Sequence, residues 1–301
     1  MALIRMNATG TAVQAHGTPR STSAALDPLV ARPGPIVVMV HGYRFEPEHP
    51  DHCPHDHIFS EAPDHPCYKA ESWPRGLGIG ALRQGLAFGW RARGSIWQAH
   101  AEAAFAGQAL AGLLRRLRDA DPLRPIHAIG HSLGARVILS ALPELEAGTL
   151  DRVLLLAGAD YASSARRALD SPAGRRARML HVTSGENRVY DLMLRSALPP
   201  AHPGDLVLGR ADLPGLPTLR LDDPRHLDGL SGLGYRVAPP QRRICHWSSY
   251  LRPGIFDLYR DLTDTCGAAL HAEVSAITAP TPALAVASGW SLPLPWGANA
   301  S

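Results

Sequence analysis

Lysine is almost missing from this 301-residue chain: of the 30 basic side chains only Lys69 is a lysine, and the rest are arginines. Against 27 carboxylates they leave a formal charge of +3, too small and scattered for the one-signed face that nucleic acid or an anionic membrane requires. Clusters such as Arg115, Arg116 and Arg118 suit the end of a helix, where cations complement the dipole and stay solvated. Cysteine is scarce as well. Cys53, Cys67, Cys245 and Cys266 are too few and too irregularly spaced for a disulfide framework. No run approaches the roughly 20 apolar residues of a membrane span, and the opening MALIRMNATG lacks the charged start and apolar stretch of a secretory leader. The expectation is a soluble cytoplasmic protein, a monomer by default, with no nucleic-acid partner and no membrane span. What is plentiful is apolar: 45% hydrophobic residues suffice to bury a core.

Short aliphatic runs bounded by Gly and Pro alternate with helical patterns along the chain. PIVVMVHG at 35–42 is a continuous apolar run, as expected of a strand covered on both faces of a parallel sheet. GLAFGW at 85–90 reads as the next strand. Over 96–119, the positions Ile96, Trp97, Ala101, Ala104, Phe105, Leu113, Leu114 and Leu117 fall mostly on one helical face. Then come a strand (PIHAIG), a helix (SLGARVILSAL), a strand (DRVLLLAGAD), a helix start (SSARRAL) and a further strand (RARMLHVTS). This alternation implies an α/β fold with a mainly parallel central sheet flanked by helices and joined by right-handed crossovers. Three regions interrupt it: 1–32, an edge hairpin and a Ser/Thr/Pro-rich connector; 44–75, a His/Pro-rich insert; and 187–243, a Gly/Pro-rich excursion expected to hold turns rather than long regular elements. The Ala/Pro-rich tail, 268–301, is expected to be extended or disordered.

Chemistry concentrates at Gly130-His131-Ser132-Leu133-Gly134, a G-x-S-x-G with a strand before it and a helix after it. A sharp strand-to-helix turn lifts such a serine to the edge of the sheet. Its neighbours must be small, and Gly130, Gly134 and Ala135 meet that demand. The N-terminus of the following helix favours developing negative charge. Upstream, His41-Gly42-Tyr43 ends a buried strand, where the N–H of Tyr43 can join that of Leu133 as a pair of donors for an oxyanion. His41 itself reads as a hydrogen-bonded residue that shapes the loop. The insert offers His49, His52, Cys53, His55, His57, His65 and Cys67, but in no recognised zinc spacing. It reads as a loop folded over the entrance near Tyr43, helped by Phe45, Phe59, Tyr68 and Trp73.

PIVVMVHGY followed some ninety residues later by IHAIGHSLGARV, with HVTSGEN and CHWSSYLRPG beyond, resembles the α/β-hydrolase superfamily, in particular an esterase/lipase-like branch. The resemblance extends from Pro35 to about Gly254 and implies one α/β-hydrolase domain over 1–267. It also implies a catalytic order of serine, acid, histidine. His246, in the loop after RRIC, then becomes the general base for Ser132. For the acid, Glu186 in TSGENR is the first candidate, Asp160 at the end of LLLAGAD the second and Asp191 the third; Arg188 stands where one alignment would put an aspartate. The activity implied is that of a serine hydrolase cleaving a carboxylic ester or thioester of a small molecule through an acyl-enzyme, with no metal or organic cofactor. The alternative is a non-catalytic protein of the same fold that binds a ligand or partner in the same pocket.

Overall fold

The computed structural model describes residues 2–18, 20–63 and 67–279. Eight strands form one sheet: β1 Leu3–Thr9, β2 Ala12–Ala15, β3 Ile36–Val40, β4 Gln84–Gly89, β5 Ile126–His131, β6 Arg152–Leu156, β7 Arg178–Thr183 and β8 Thr218–Arg220, in the order β2-β1-β4-β3-β5-β6-β7-β8. β2 pairs antiparallel with β1, as the expected edge hairpin requires. The remaining pairings are parallel.

Period-two alternation divides the core between the two faces of this sheet. Val38 and Val40 of β3 pack with Leu86 and Phe88 of β4 on one face, whereas Val37 and Met39 pack with Ala87 and Ile129 on the other. The first face is covered by Ile96–Ala120 and Leu133–Ala141, the second by Ile255–Leu262 and Gly267–Thr278. β3 therefore has no polar face, which explains its unbroken aliphatic run.

Several details depart from the expectations above. The long helix turns Ala103, Ala106, Gly107 and Leu110 inward, while Trp97 and Phe105 stay 60% and 48% exposed. Close approach to the helix behind Ser132 selects small side chains over part of that contact, whereas Leu113, Leu114 and Leu117 are buried as expected. The connector at the N-terminus holds a helix, Thr22–Val30, capped by Ser21. The excursion at 187–243 carries two regular helices, Arg188–Ala197 and Pro224–Gly232, besides β8. The supposed tail opens with the helix Gly267–Thr278, which buries His271 and Val274. Residues 280–301 lie outside the described residues. No helix among the described residues is long and apolar enough to cross a membrane.

The order of the strands also locates a crevice. From β3 the chain moves to β4 on one side, then crosses back to β5 on the other. Loops leaving the carboxyl ends of β3 and β5 thus diverge and leave a gap between them, where open α/β sheets bind ligands. Tyr43 follows β3 and Ser132 follows β5.

Candidate active site

Ser132 adopts φ 57° and ψ −124° between β5 and the helix Leu133–Ala141, a region that a side chain occupies only when its surroundings hold it there. Backbone bonds supply the hold. Ser132 N–H donates to Leu156 O at 2.9 Å, and Ser132 O accepts from Ala159 N–H at 3.1 Å. The neighbouring chain passes so close that two glycines are obligatory. A Cβ on Gly134 would meet the Val40 carbonyl and lie 2.5 Å from His41 O; one on Gly42 would lie 2.7 Å from both Ser132 Cβ and His131 O. The strained serine is thereby pressed against the end of β3.

That contact aligns the candidate oxyanion donors. Leu133 N–H, at the first position of its helix, has no intrahelical acceptor. The Tyr43 peptide is oriented by His41, which is fully buried and stacked on Trp90 with ring centroids 5.5 Å apart. His41 Nε2 accepts from Trp90 N–H at 3.0 Å, so Nδ1 carries the proton and donates to Gly42 O at 2.9 Å. Gly42 C=O and Tyr43 N–H belong to one trans peptide, so holding the oxygen on one side aims the N–H to the other. Burial lowers the His41 imidazole to about 3, which keeps it neutral and this tautomer fixed.

His246 sits beside the elbow, its ring centroid 4.6 Å from that of His131 and 4.6 Å from that of Tyr190, which stacks on it. His131, the first x of the G-x-S-x-G, donates from Nε2 to His246 O at 3.0 Å and so fixes the backbone of the candidate base. Burial first, then the nearby His131 and Lys69, lowers the His246 imidazole well below its ordinary value, leaving it neutral and able to accept a proton. Ser132 Oγ makes no hydrogen bond among the described residues. A nucleophile–base contact of this kind often closes only with substrate present.

The partner of His246 Nδ1 is Asn187, whose Oδ1 accepts at 2.6 Å. Asn187 Nδ2 in turn donates to Asp191 Oδ1 at 2.9 Å. A carboxylate only accepts, so the amide must turn its NH2 toward Asp191 and its oxygen toward His246. Burial pushes the Asp191 carboxyl up to about 6, against the pull of Arg210 and Arg220.

Glu186, the first candidate for the acid, does not reach His246. Its Oε2 is ion-paired with Arg252 and accepts from Ser184 Oγ at 3.1 Å, while Oε1 accepts from Arg242 N–H at 3.2 Å. Arg252 also donates to Leu221 O at 2.7 Å. This buried pair ties the segment after His246 to the loop that follows β7. Asp160 is equally committed, accepting from Arg136 Nη1 at 2.9 and 3.0 Å and from Tyr161 N–H at 2.8 Å. Asp191 belongs to the site, but one side chain away from the histidine. Asn187, His131 and Tyr190 are the residues that sequence reasoning missed. The spacing of Asn187 and Asp191, four apart at the start of a helix, was the available signal.

Ser132, His246 and both oxyanion candidates line one cavity of about 660 Å3, walled by Phe45, Ile58, Trp97, Met193, Leu194 and Trp247. The insert contributes Phe45, Ile58 and Lys69 to it, whereas Phe59 and Trp73 are fully buried behind. Among the described residues no group of three or more His, Cys, Asp or Glu is placed to hold a metal ion.

Residues 30–157 match the model of a family described as alpha/beta hydrolase of unknown function (DUF900). No curated protein matches the chain. Among solved structures it is similar to Trichoderma reesei cutinase in complex with a phosphonate inhibitor (15% identity over 47% of this chain and 62% of that one, TM-score 0.26). It is also similar to phospholipase PlaB from Legionella pneumophila in complex with thio-NAD (12% identity, 81% and 62%, TM-score 0.43). A third is the metagenomic carboxyl esterase MGS0156 (16% identity, 69% and 69%, TM-score 0.32). The chain spans 62% of the length of each of the first two.

Proposed function

From the premise that this chain is a member of the α/β-hydrolase superfamily, we propose that it is a serine hydrolase cleaving a carboxylic ester or thioester. Ser132 Oγ attacks the acyl carbonyl while His246 Nε2 takes its proton. The carbonyl oxygen gains charge between the N–H groups of Tyr43 and Leu133. Collapse of the tetrahedral species returns the proton from His246 to the leaving oxygen or sulfur and leaves an acyl-Ser132. Water, deprotonated by the same histidine, then releases the acid.

Asn187 takes the position where a carboxylate is usual. Its carbonyl holds the Nδ1–H tautomer that a general base requires but brings no charge to the imidazolium. Asp191 supplies that charge from behind the amide and prevents the amide from turning over. The neutral partner of His246 would suit a non-catalytic protein of the same fold; the carboxylate of Asp191, bonded behind Asn187, supports the enzyme reading instead.

The observation that carries the proposal is the strained Ser132, at φ 57°, opening on the cavity that His246 also lines. A fluorophosphonate probe should label the folded protein at Ser132. Ser132→Ala and His246→Ala should abolish labelling and the hydrolysis of short 4-nitrophenyl esters. Folded wild-type protein that resists the probe would overturn the proposal.

A further inference from the structure

The cavity at Ser132 is lined by no aspartate or glutamate among the described residues, yet two cations, Lys69 and Arg44, open onto it. Some buried cations elsewhere are neutralised, as Arg252 is by Glu186 and Arg136 by Asp160, and others, such as Arg124 and Arg152, donate to backbone carbonyls. Lys69 and Arg44 form no ion pair among the described residues. Lys69, the single lysine of the chain, instead sets its ammonium 3.6 Å from the centre of the Trp247 ring. Arg44 stands over Tyr43 at 5.8 Å, on a backbone with φ 77°. Aromatic faces hold cations in place without cancelling their field beyond the ring, so the half-buried Lys69 and the exposed Arg44 leave a positive potential at the mouth of the pocket. Around it the walls are apolar: Phe45, Ile58, Trp97, Leu133, Met193 and Leu194.

We infer that the substrate is an amphiphilic anion, an ester that joins an apolar acyl chain to a carboxylate or phosphate, with Lys69 and Arg44 receiving the negative group and the apolar wall receiving the chain. This assignment rests on the hydrolase proposed above and deepens it. Lys69 precedes the helix turn Trp73–Gly76 and reaches Trp247, the residue after His246. The anion would therefore be held beside the base. A neutral ester would leave both cations without an anionic partner in the occupied pocket.

Two matched pairs test this and distinguish where the anion sits. In the first, mono-4-nitrophenyl suberate is compared with its methyl ester, which places or removes a carboxylate on the acyl side. In the second, monooctanoyl glycerol 3-phosphate is compared with monooctanoyl glycerol, which does the same with a phosphate on the alcohol side. The expected result is a KM about tenfold lower for the anionic member of at least one pair. Lys69→Met and Arg44→Met should each compress that ratio toward one. Equal KM values, or a preference for the neutral member, in both pairs would overturn the inference while leaving the hydrolase intact. If no ester is turned over, the hydrolase proposal fails, and binding to Ser132→Ala decides the inference separately. Octanoate should then quench tryptophan fluorescence at lower concentration than methyl octanoate, and Lys69→Met should abolish the difference. Equal quenching by the two would overturn it.

Discussion

Asp191→Asn tests how a neutral asparagine can serve His246 in the proposed role of general base. In a serine triad, replacing the acid by asparagine costs about 10⁴ in kcat, because the amide can turn its NH2 to the imidazole and enforce the wrong tautomer. Here Asn187 is prevented from turning by the bond from its Nδ2 to Asp191. A hydrogen bond to a charged group is worth about 1.5–3 kcal/mol, which at about 1.4 kcal/mol per factor of ten favours the competent orientation by roughly 10- to 150-fold. The introduced amide would offer Asn187 either an oxygen or an NH2 at nearly the same shape, so the competent orientation drops from nearly all molecules to about half; kcat should fall about twofold from orientation alone, and further because the carboxylate charge behind the imidazolium is gone. The double variant Asn187→Asp, Asp191→Asn should recover it, because the carboxylate then faces His246 directly and the amide behind it can donate to it.

The same substitution has a pH signature. The Asp191 carboxyl is raised from 3.8 to about 6, so the folded state holds its proton where the unfolded chain has lost it. Between about pH 4 and 6 the folded state therefore binds more protons, and stability falls as pH rises through that window. At about 1.4 kcal/mol per unit the ionised carboxylate costs up to about 3 kcal/mol at neutral pH. Asp191→Asn should thus melt higher than wild type at pH 8, with the gap closing toward pH 4. Its kcat/KM should also lose the acid limb near pH 6, since protonated Asp191 no longer dictates the amide orientation and His246 titrates well below its ordinary value. The groups facing Asp191 are Asn187, Arg210 and Arg220. Wild-type kcat together with an unchanged acid limb in Asp191→Asn, measured by stopped-flow ester hydrolysis from pH 4.5 to 9, would refute the relay.

Glu186→Gln should leave Arg252 buried without its counter-charge and lower stability by about 3–5 kcal/mol in urea unfolding, while turnover per folded molecule falls far less than in Asp191→Asn. Gly42→Ala forces a methyl to 2.7 Å from Ser132 Cβ; probe labelling and kcat should both drop by more than about 100-fold, consistent with the loss of an aligned oxyanion donor. His41→Leu removes the bond that holds Gly42 O, and kcat should fall about 10- to 100-fold with little change in KM. Because His41 sits near 3, its own titration should add no limb to the profile between pH 5 and 9.

The parts of the site legible in the sequence are those written in local pattern. The elbow needs small residues around one serine, the oxyanion loop needs a buried strand ending in His-Gly, and both requirements appear within a few positions. The partner of His246 could not be read that way. Ser184 caps a single 3₁₀ turn, Gly185–Asn187, in which consecutive side chains diverge by about 120°. Glu186 and Asn187 must therefore point to different neighbours, and only the fold shows which points where. Arg252, buried and 66 positions away, claims the carboxylate; a buried guanidinium without a counter-charge is the costlier error. The amide is left for His246, and in the proposed mechanism Asp191, bonded behind Asn187, supplies the charge that Glu186 would otherwise bring. Residue chemistry alone favoured the carboxylate for the histidine, whereas the competing demand of a buried cation decided the outcome. The long helix shows the same logic in packing, where close approach to the elbow helix favours small residues such as Ala103, Ala106 and Gly107 on part of its inner face and leaves Trp97 to line the cavity. In both places a long-range constraint chose among locally acceptable residues, so the chemistry proposed for this site depends as much on what restrains Asn187 and Glu186 as on Ser132.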